Sequence, residues 1–516
     1  MIINLLNGRN IMNKVEKSIL HNPIMWSDVP DVDTIRVGDA FYMVSTSMHT
    51  MPGCPIMKSV DLINWEIVSY IFDILEDNDG HNLQDGAGIY GQGSWACSLR
   101  YHNNIFYACF ACNDMKKTYI YRTDDIEQGK WERDIFKGVY HDPSLLFDDG
   151  KVYIIYGNGT IRIIELTEDA RAIKPNGLKQ ILLETAQDGI GLRCEGCHAY
   201  KINGTYYLFF IEWPIVGNKR RRQVCYRSET LFGEYECKIV MDDDMGYHNN
   251  GVAQGGIFDT LDGDWYAMLF QDHDAVGRIP CILPLKWENG WPMLGVNGRV
   301  PAQMGIPFKA FQEFPLVISD EFEHDQNKLK LNWQWNHNPD NKLWSFTERP
   351  GYLRLMTGNL ATNILNARNT LTQRTEGPFC AGCTLIELSN MVVGDYAGLV
   401  ALQNNYGTVG VKISSNGNKY VIMSVNGGEG DPVEMEQIEL SIDKVFLKIE
   451  FDFEDSRDVA EFYYSLDGEK WIKIGGDLAM KYTLDHFMGY RIGLFNYATQ
   501  QIGGFADFEY FHYSRT

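Results

Sequence analysis

The chain has 516 residues, of which 22% are charged, 45% hydrophobic and 13% aromatic, so it is too long for one compact core and too apolar for a disordered protein. Its 46 Lys and Arg against 68 Asp and Glu give a formal net charge of -22, which disfavours nucleic acid and membranes as partners. No stretch approaches the roughly 18 apolar residues of a spanning helix. The 49 glycines and the many aromatic residues favour sheets over helices.

Residues 1–21 are expected to be an N-terminal extension. Asn4, Asn7 and Asn10 interrupt its apolar stretches and no small-residue cleavage site follows them, so it is a poor signal peptide. The 11 cysteines, an odd number, are scattered through strand-like segments, which fits a reducing compartment. We therefore predict a cytoplasmic protein.

Three Cys-x-x-Cys pairs raise the question of a zinc site: Cys109/Cys112, Cys194/Cys197 and Cys380/Cys383. Each pair lies in or beside an alternating aromatic strand and lacks the glycine-rich turns of zinc ribbons. Reduced structural thiols are therefore expected at these positions.

A repeat runs through the N-terminal part of the chain. Five segments align without gaps on a tyrosine: Asp33–Tyr42, Ser98–Tyr107, Ser144–Tyr153, His198–Tyr207 and Ile257–Tyr266. Each has the pattern of a strand, a tight polar turn and a second, aromatic-rich strand, which is typical of a β-hairpin. The spacing leaves room for four strands per unit, and five such units arranged radially make a five-bladed β-propeller. A sandwich with chance hairpins is the alternative.

The repeat pattern stops after Leu294, and short alternating strands such as Tyr420-VIMSV and Arg491-IGLFN follow. These predict a two-sheet antiparallel sandwich. We therefore predict an all-β chain with a propeller at 22–306, a linker at 307–318 and a β-sandwich at 319–516.

Residues just before the five hairpins should converge on the propeller axis, since the first strand of each blade lines the central channel. They are Asp31, Trp95, Asp142, Glu195 and Gln254. Three carboxylates near a partly enclosed axis are unfavourable unless they serve chemistry. Glycosidic bond cleavage needs separated carboxylates, one to protonate the leaving oxygen and one to activate water. Metal binding and strand capping are the alternatives.

The motifs around these positions resemble glycoside hydrolase family 43: DVPDVDTIRVGD at 28–39, WACSLRYHNN from 95, HDPSLLFDDG from 141 and CEGCHAYKING from 194. The resemblance covers about residues 22–294. The part from Ser319 resembles the concanavalin-like β-sandwich of many β-xylosidase-type members. The resemblance to this family implies a five-bladed propeller enzyme that hydrolyses glycosides by inversion.

Residue by residue, the resemblance implies Asp31 as general base and Glu195 as general acid. Asp142 is implied to tune the pKa of the acid and to orient it. Asp28 is the alternative base. Arg278 matches an arginine that reaches sugar hydroxyls in related enzymes, and a surface salt bridge is its alternative role.

Several further side chains are candidates for binding sugar. Trp95 and Trp26 are candidate platforms for the apolar face of the sugar ring, while His198, His248 and Gln254 are candidate hydrogen-bonding partners. Many members of the family have a histidine just before the fifth-blade Gln-Gly-Gly that helps to hold an axial cation, where this chain has Ala253. We expect no required cofactor, and a structural calcium or sodium ion at the axis, held by Gln254 or His248, stays open.

The phrases around Ser45–His49 and His248–Gly256 look most like the arabinofuranosidase branch of the family. We predict release of terminal L-arabinofuranose from arabinoxylan- or arabinan-derived oligosaccharides. A β-xylosidase and a non-catalytic carbohydrate-binding propeller are the alternatives, although the latter would not need three axial acids. The predicted partner is an oligosaccharide, and a homo-oligomer stays open.

Overall fold

The fold is known from a computed structural model that describes residues 18–428 and 430–515. Its only helices within these ranges are three short 3-10 turns, Asp274–Val276, Ile364–Asn366 and Glu454–Ser456. No helix in the described part of the chain is long and apolar enough to cross a membrane. The all-β prediction is confirmed.

Five four-stranded antiparallel sheets form the propeller, one for each sequence repeat. From the axis outward the strands of blades one to three are Asp33–Val37, Ala40–Val44, Gly53–Ser59, Glu66–Phe72; Ser94–His102, Ile105–Cys112, Lys117–Thr123, Glu132–Lys137; and Ser144–Asp148, Lys151–Tyr156, Thr160–Leu166, Lys179–Glu184. Those of blades four and five are Ile190–Ile202, Thr205–Pro214, Arg222–Ser228, Glu236–Met241; and Ala253–Asp259, Trp265–Asp272, Arg278–Glu288, Trp291–Leu294. The predicted five-bladed propeller is confirmed.

Two-residue turns join the first two strands in blades one to four. In blade two, Asn103 and Asn104 adopt φ of 50° and 62°, as the hairpin turn that matches the strand twist requires. Blade five differs from the prediction, because Asp259 pairs with Trp265 and residues 260–264 form a longer loop. This loop is held by its own backbone bonds, including Thr260 N–H to Asp264 O at 2.8 Å.

A small two-stranded sheet lies outside the blades. Ser18–His21 pairs with Gln303–Ile306, so the start of the described chain is bound to the segment that leaves blade five. Of the predicted N-terminal extension, residues 1–17 lie outside the described residues.

Two large sheets form the C-terminal sandwich. The eight-stranded sheet has the spatial order Val433–Leu440, Lys419–Asn426, Tyr406–Ile413, Asp395–Leu402, Arg491–Ala498, Leu371–Arg374, Gln334–Asn336 and Thr50–Met51. The other sheet has the order Trp344–Ser345, Leu353–Met356, Phe505–Phe508, Phe379–Glu387, Lys444–Asp452, Val459–Ser465 and Ile472–Lys473, with Leu478–Ala479 and His512–Arg515 at its margins. Fully buried aliphatic side chains such as Leu399 and Val445 fill the space between them.

The sandwich is joined to the propeller by backbone pairing and by shared core. Thr50–Met51, a segment of blade one, is the edge strand of the eight-stranded sheet. Ala275 and Val276 of blade five belong to the same hydrophobic cluster as the sandwich core. Residues 482–487, here called the sandwich loop, are thereby held at the mouth of the propeller.

Candidate active site

A cavity of about 290 Å³ opens where the propeller mouth meets the sandwich. The five axial positions Asp31, Trp95, Asp142, Glu195 and Gln254 all line it, although they come from five different blades. Other propeller residues in its walls are His141, Leu192, Ile211, Arg221, Asn250, Phe270, Asp272 and Arg278. The sandwich loop closes one side with Tyr482, Leu484 and Phe487.

Three of the axial residues have a strained backbone. Asp31, Asp142 and Gln254 adopt φ of 52°, 46° and 65°, in the left-handed region. For a residue with a Cβ this conformation costs about 1–2 kcal/mol. Strain of this kind persists where the surrounding structure imposes it, and it is concentrated at functional sites. Here it aims the side chains of three blades at one point.

Asp31 is a buried carboxylate held from two sides. Its side chain is 6% exposed, and Arg278 Nη1 lies 3.0 Å from both of its oxygens. Gln254 Nε2 donates a second hydrogen bond to Oδ1 at 2.7 Å. Burial raises the pKa of Asp31, and the Arg278 guanidinium opposes this rise. Arg278 is therefore not a surface residue, since it lies in the cavity wall as the partner of Asp31.

Asp28, the alternative base, has a structural position. Its Oδ1 accepts the backbone N–H of Arg278 at 2.7 Å, and its Oδ2 accepts that of Gly489 at 2.9 Å. Asp28 is absent from the cavity wall. Its carboxylate connects blade five to the sandwich next to the sandwich loop.

Glu195 is oriented through one of its two oxygens. Oε2 accepts a hydrogen bond from Asn158 Nδ2 at 2.5 Å and lies 3.0 Å from His141 Nε2. Oε1 has no such partner among the described residues. The side chain is 20% exposed. The free oxygen can therefore hold a proton for a ligand while the other keeps the carboxyl group in place.

Asp142 is close enough to both other acids to feel their charges. Its Oδ2 accepts the backbone N–H of Gly196 at 2.9 Å, next to Glu195, and lies 3.5 Å from His141 Nε2. Burial, together with Glu195 and Asp31, raises the pKa of Asp142 to about 6. Burial opposes protonation of His141, but the neighbouring carboxylates Asp142 and Glu195 raise its pKa to about 9. The protonation of Asp142 and that of His141 therefore depend strongly on each other.

The axis fits a calcium ion poorly. Gln254 is committed to Asp31, and beneath it lies a cavity of only about 10 Å³, room for one water molecule at most. The axial Asp33 is already neutralised by the Arg100 guanidinium, 2.6 Å away. Calcium needs six to eight oxygen ligands. His141, Asp142 and Glu195 do form a cluster with ligand atoms within 4.8 Å, but these are the candidate catalytic groups.

The Cys-x-x-Cys pairs form no metal-binding cluster within the described residues. All cysteines are free, and Cys109, Cys112 and Cys194 are fully buried. Burial raises the pKa of the Cys194 thiol to about 12, which keeps it protonated.

Two aromatic rings form part of the cavity wall. The ring centres of Trp95 and Phe487 are 5.6 Å apart, and Phe487 also stacks on the Arg278 guanidinium at 4.6 Å. Trp95 Nε1 is buried and has no hydrogen-bond partner among the described residues. Such a wall offers apolar surface to the C–H face of a sugar and one N–H donor to a hydroxyl.

Three predicted sugar-binding residues lie outside this cavity. Trp26 packs on His273, with ring centres 5.4 Å apart, and against the sandwich core. His248 is exposed and contacts Tyr247 edge-on. His198 is buried below the cavity, where Nδ1 lies 3.1 Å from Asp33 Oδ1. None of these three residues lines the cavity, and their role in binding sugar stays a prediction.

Sequence reasoning assigned no role to two groups of site residues. His141 and Asn158 of blade three hold Glu195, and His141 stands directly before Asp142, so its motif carried a usable signal. Tyr482 and Phe487 come from the sandwich, far away in sequence. No local pattern marks them.

Comparisons with known proteins agree with this geometry. The profile of the family described as Glycosyl hydrolases family 43 matches residues 20–292, and that of the Beta xylosidase C-terminal Concanavalin A-like domain matches residues 319–514. A beta-xylosidase of Formosa agariphila is 29% identical over 95% of this chain and 90% of its own length. A non-reducing end alpha-L-arabinofuranosidase of Bacteroides ovatus is 29% identical over 65% of this chain and 64% of its own.

Among solved structures, a bifunctional GH43-CE protein of Bacteroides eggerthii superposes with a TM-score of 0.91 at 46% identity. The superposition covers 97% of this chain and 64% of the bifunctional protein. This chain therefore spans less than two thirds of that relative.

Proposed function

Because the chain belongs to glycosyl hydrolases family 43, we propose that it releases single terminal pentose units from oligosaccharides with inversion at the anomeric carbon. L-Arabinofuranose from arabinoxylan- or arabinan-derived oligosaccharides is the first candidate. The observation that carries the proposal is the meeting of Asp31, Asp142 and Glu195 in one cavity. Inverting hydrolysis requires an acid and a base on opposite faces of the sugar.

Asp31 is the proposed general base. Within the described part of the chain, its Oδ2 accepts one hydrogen bond, from Arg278, so a lone pair remains for a water molecule. Asp31 takes a proton from this water while the water oxygen bonds to the anomeric carbon. Arg278 favours the ionised carboxylate and so opposes the rise in the pKa of Asp31 that burial causes.

Glu195 is the proposed general acid. It gives its proton to the glycosidic oxygen as the bond between this oxygen and the anomeric carbon breaks. After the reaction Asp31 carries a proton and Glu195 has lost one, and exchange with solvent restores both. Asp142, through Gly196, and His141 with Asn158 hold the carboxyl group in position.

The shape of the cavity supports removal of one terminal unit. A volume of about 290 Å³ lies at the lower end of ligand pockets, which begin at roughly 300 Å³. Trp95 and Phe487 contact each other in its wall, and the sandwich loop blocks the continuation of an open cleft. The rest of a bound oligosaccharide would therefore have to extend out of the cavity through its mouth.

β-D-Xylose is the second candidate for the terminal unit. The Formosa agariphila relative bears the name beta-xylosidase, whereas the motifs in blades one and five favour the arabinofuranosidase branch. Initial rates on nitrophenyl α-L-arabinofuranoside and nitrophenyl β-D-xyloside compare the two. Faster hydrolysis of the xyloside would refute the first candidate and support the second.

The stereochemistry is tested by NMR of the product before it mutarotates. Inversion predicts that the first anomer to appear has the configuration opposite to that of the substrate. A carbohydrate-binding propeller without catalysis would release no sugar at all. Cytoplasmic location and independence of added cations remain predictions.

A further inference from the structure

A second cavity, of about 200 Å³, lies on the outer face of the eight-stranded sheet, which is turned away from the other sheet of the sandwich. On strand Tyr406–Ile413, the side chains of Val409 and Val411 belong to the sandwich core. Tyr406, Thr408 and Gly410 alternate with them and line this outer cavity. The proposed hydrolysis makes no use of it.

Two facing glycines lie at the outer cavity, and Gly410 lines it. Gly398 pairs with Gly410 across neighbouring strands. Phe495 is the next partner on one side, and Ile422 on the other. The two glycines contribute no side chain between Phe495 and Ile422, both of which line the cavity.

The walls combine stacked rings with hydroxyl groups. Tyr396 and Tyr497 are parallel to within 5°, with ring centres 5.3 Å apart. Thr408 pairs with Ser424, and both line the cavity. Tyr406 is 1% exposed, and its hydroxyl has no hydrogen-bond partner among the described residues. A buried hydroxyl needs a hydrogen-bond partner, which a ligand hydroxyl or a water molecule in the cavity can supply.

The charges around the outer cavity restrict its ligand. Asp431 and Glu434 contribute carboxylates to the lining, and Lys412 is paired with Glu434. Carboxylates accept hydrogen bonds from hydroxyls and repel anions. Rings on one side and hydroxyls with carboxylates on the other suit a neutral molecule that has both a C–H face and several hydroxyls.

We propose that the outer cavity is a second, non-catalytic site that binds one neutral sugar unit of the oligosaccharides on which the enzyme acts. The identity of those oligosaccharides rests on the proposed function, whereas the existence of the site does not. A volume of about 200 Å³ leaves room for one sugar unit at most. An oligosaccharide bound there would stay close to the enzyme between successive cleavages.

Calorimetric titration with xylotriose tests the site in full-length chain carrying Glu195→Gln, which prevents turnover. When Tyr396→Ala is introduced into this variant, the binding stoichiometry should fall by one xylotriose per chain, whether or not the catalytic pocket binds the ligand. Tyr406→Phe deletes only the unpartnered hydroxyl and should weaken the same site about tenfold, without lowering the unfolding temperature. Tyr420→Ala, on the same sheet face but outside the cavity, is the matched control and should change nothing.

Unchanged stoichiometry and affinity in both Tyr396→Ala and Tyr406→Phe would overturn the proposal, and so would an equal loss in Tyr420→Ala. In the otherwise unchanged enzyme, Tyr396→Ala should raise KM for long arabinoxylan-derived oligosaccharides and leave hydrolysis of nitrophenyl glycosides unaltered. Absence of all hydrolysis would refute the proposed function alone, because the titration does not depend on turnover.

Discussion

Acidification should destabilise the joint between the two domains through three buried histidines. His49 of the propeller and His337 and His486 of the sandwich surround Tyr90, at ring distances of 4.7, 4.5 and 4.2 Å. Their exposed fractions are 1%, 0% and 2%. Burial lowers the pKa of His49 to about 3 and those of His337 and His486 well below the ordinary value. All three are therefore neutral in the folded protein at mildly acidic pH.

The sign and size of the effect follow from linkage. The unfolded chain binds a proton at each histidine below a pKa of about 6.5, whereas the folded chain does not, so stability falls with the pH. Between about pH 7.5 and about pH 5.5 the loss is about 1.4 kcal/mol per histidine and about 4 kcal/mol for three. The raised pKa of Asp142 acts in the opposite direction, because the folded state binds that proton more tightly.

A single variant separates the histidine effect from that of the carboxyls. His486→Phe keeps a ring stacked on Tyr90 and removes one titrating group. Urea unfolding at both pH values should show that the variant loses about 1.4 kcal/mol less than the wild type on acidification. His512→Phe, at an exposed residue paired with Glu321, is the control and should retain the wild-type pH dependence.

Equal pH dependence in the wild type and His486→Phe would refute this reasoning, since it would mean that His486 accepts a proton without unfolding. NMR titration of the histidine Cε1 protons reports the same property directly. Because His486 belongs to the sandwich loop, loosening of the joint should also reach the cavity. We expect KM to rise at acidic pH before global unfolding begins.

Three further predictions concern catalysis. Glu195→Gln and Asp31→Asn should each lower kcat by about 10²–10⁴-fold. A substrate with a dinitrophenyl leaving group should rescue only Glu195→Gln, since this leaving group needs no protonation. Rescue of both variants would contradict the assigned roles. Phe487→Ala should raise KM for nitrophenyl substrates about tenfold with little change in thermal stability, and an unchanged KM would exclude this ring from the sugar site. Dialysis against EDTA should leave kcat unchanged, and restoration of a lost activity by calcium would show that a cation is required.

The local sequence was sufficient to predict the propeller, because this part of the fold repeats one four-stranded unit around an axis. Turn residues such as Asn103 and Asn104 encode a hairpin because few residues tolerate positive φ. Five hairpins in a fixed pattern imply five blades, and the residue before each hairpin must then point to the common centre. Asp31 and Glu195 could be found in this way, because the propeller geometry converts equal positions in sequence into proximity in space.

The local sequence could not predict the positions of side chains that pack against the other domain. Trp26 stands near an axial residue in sequence, yet it packs against the sandwich, and His248 points to solvent. Phe487 lines the cavity because backbone pairing and a shared hydrophobic core hold the sandwich against the propeller mouth. Within the propeller itself, Arg278 pairs with Asp31 across 247 residues, because the ring of blades brings blade five beside blade one. Contacts between residues so far apart in sequence depend on how blades and domains pack together, and no local period or motif predicts them.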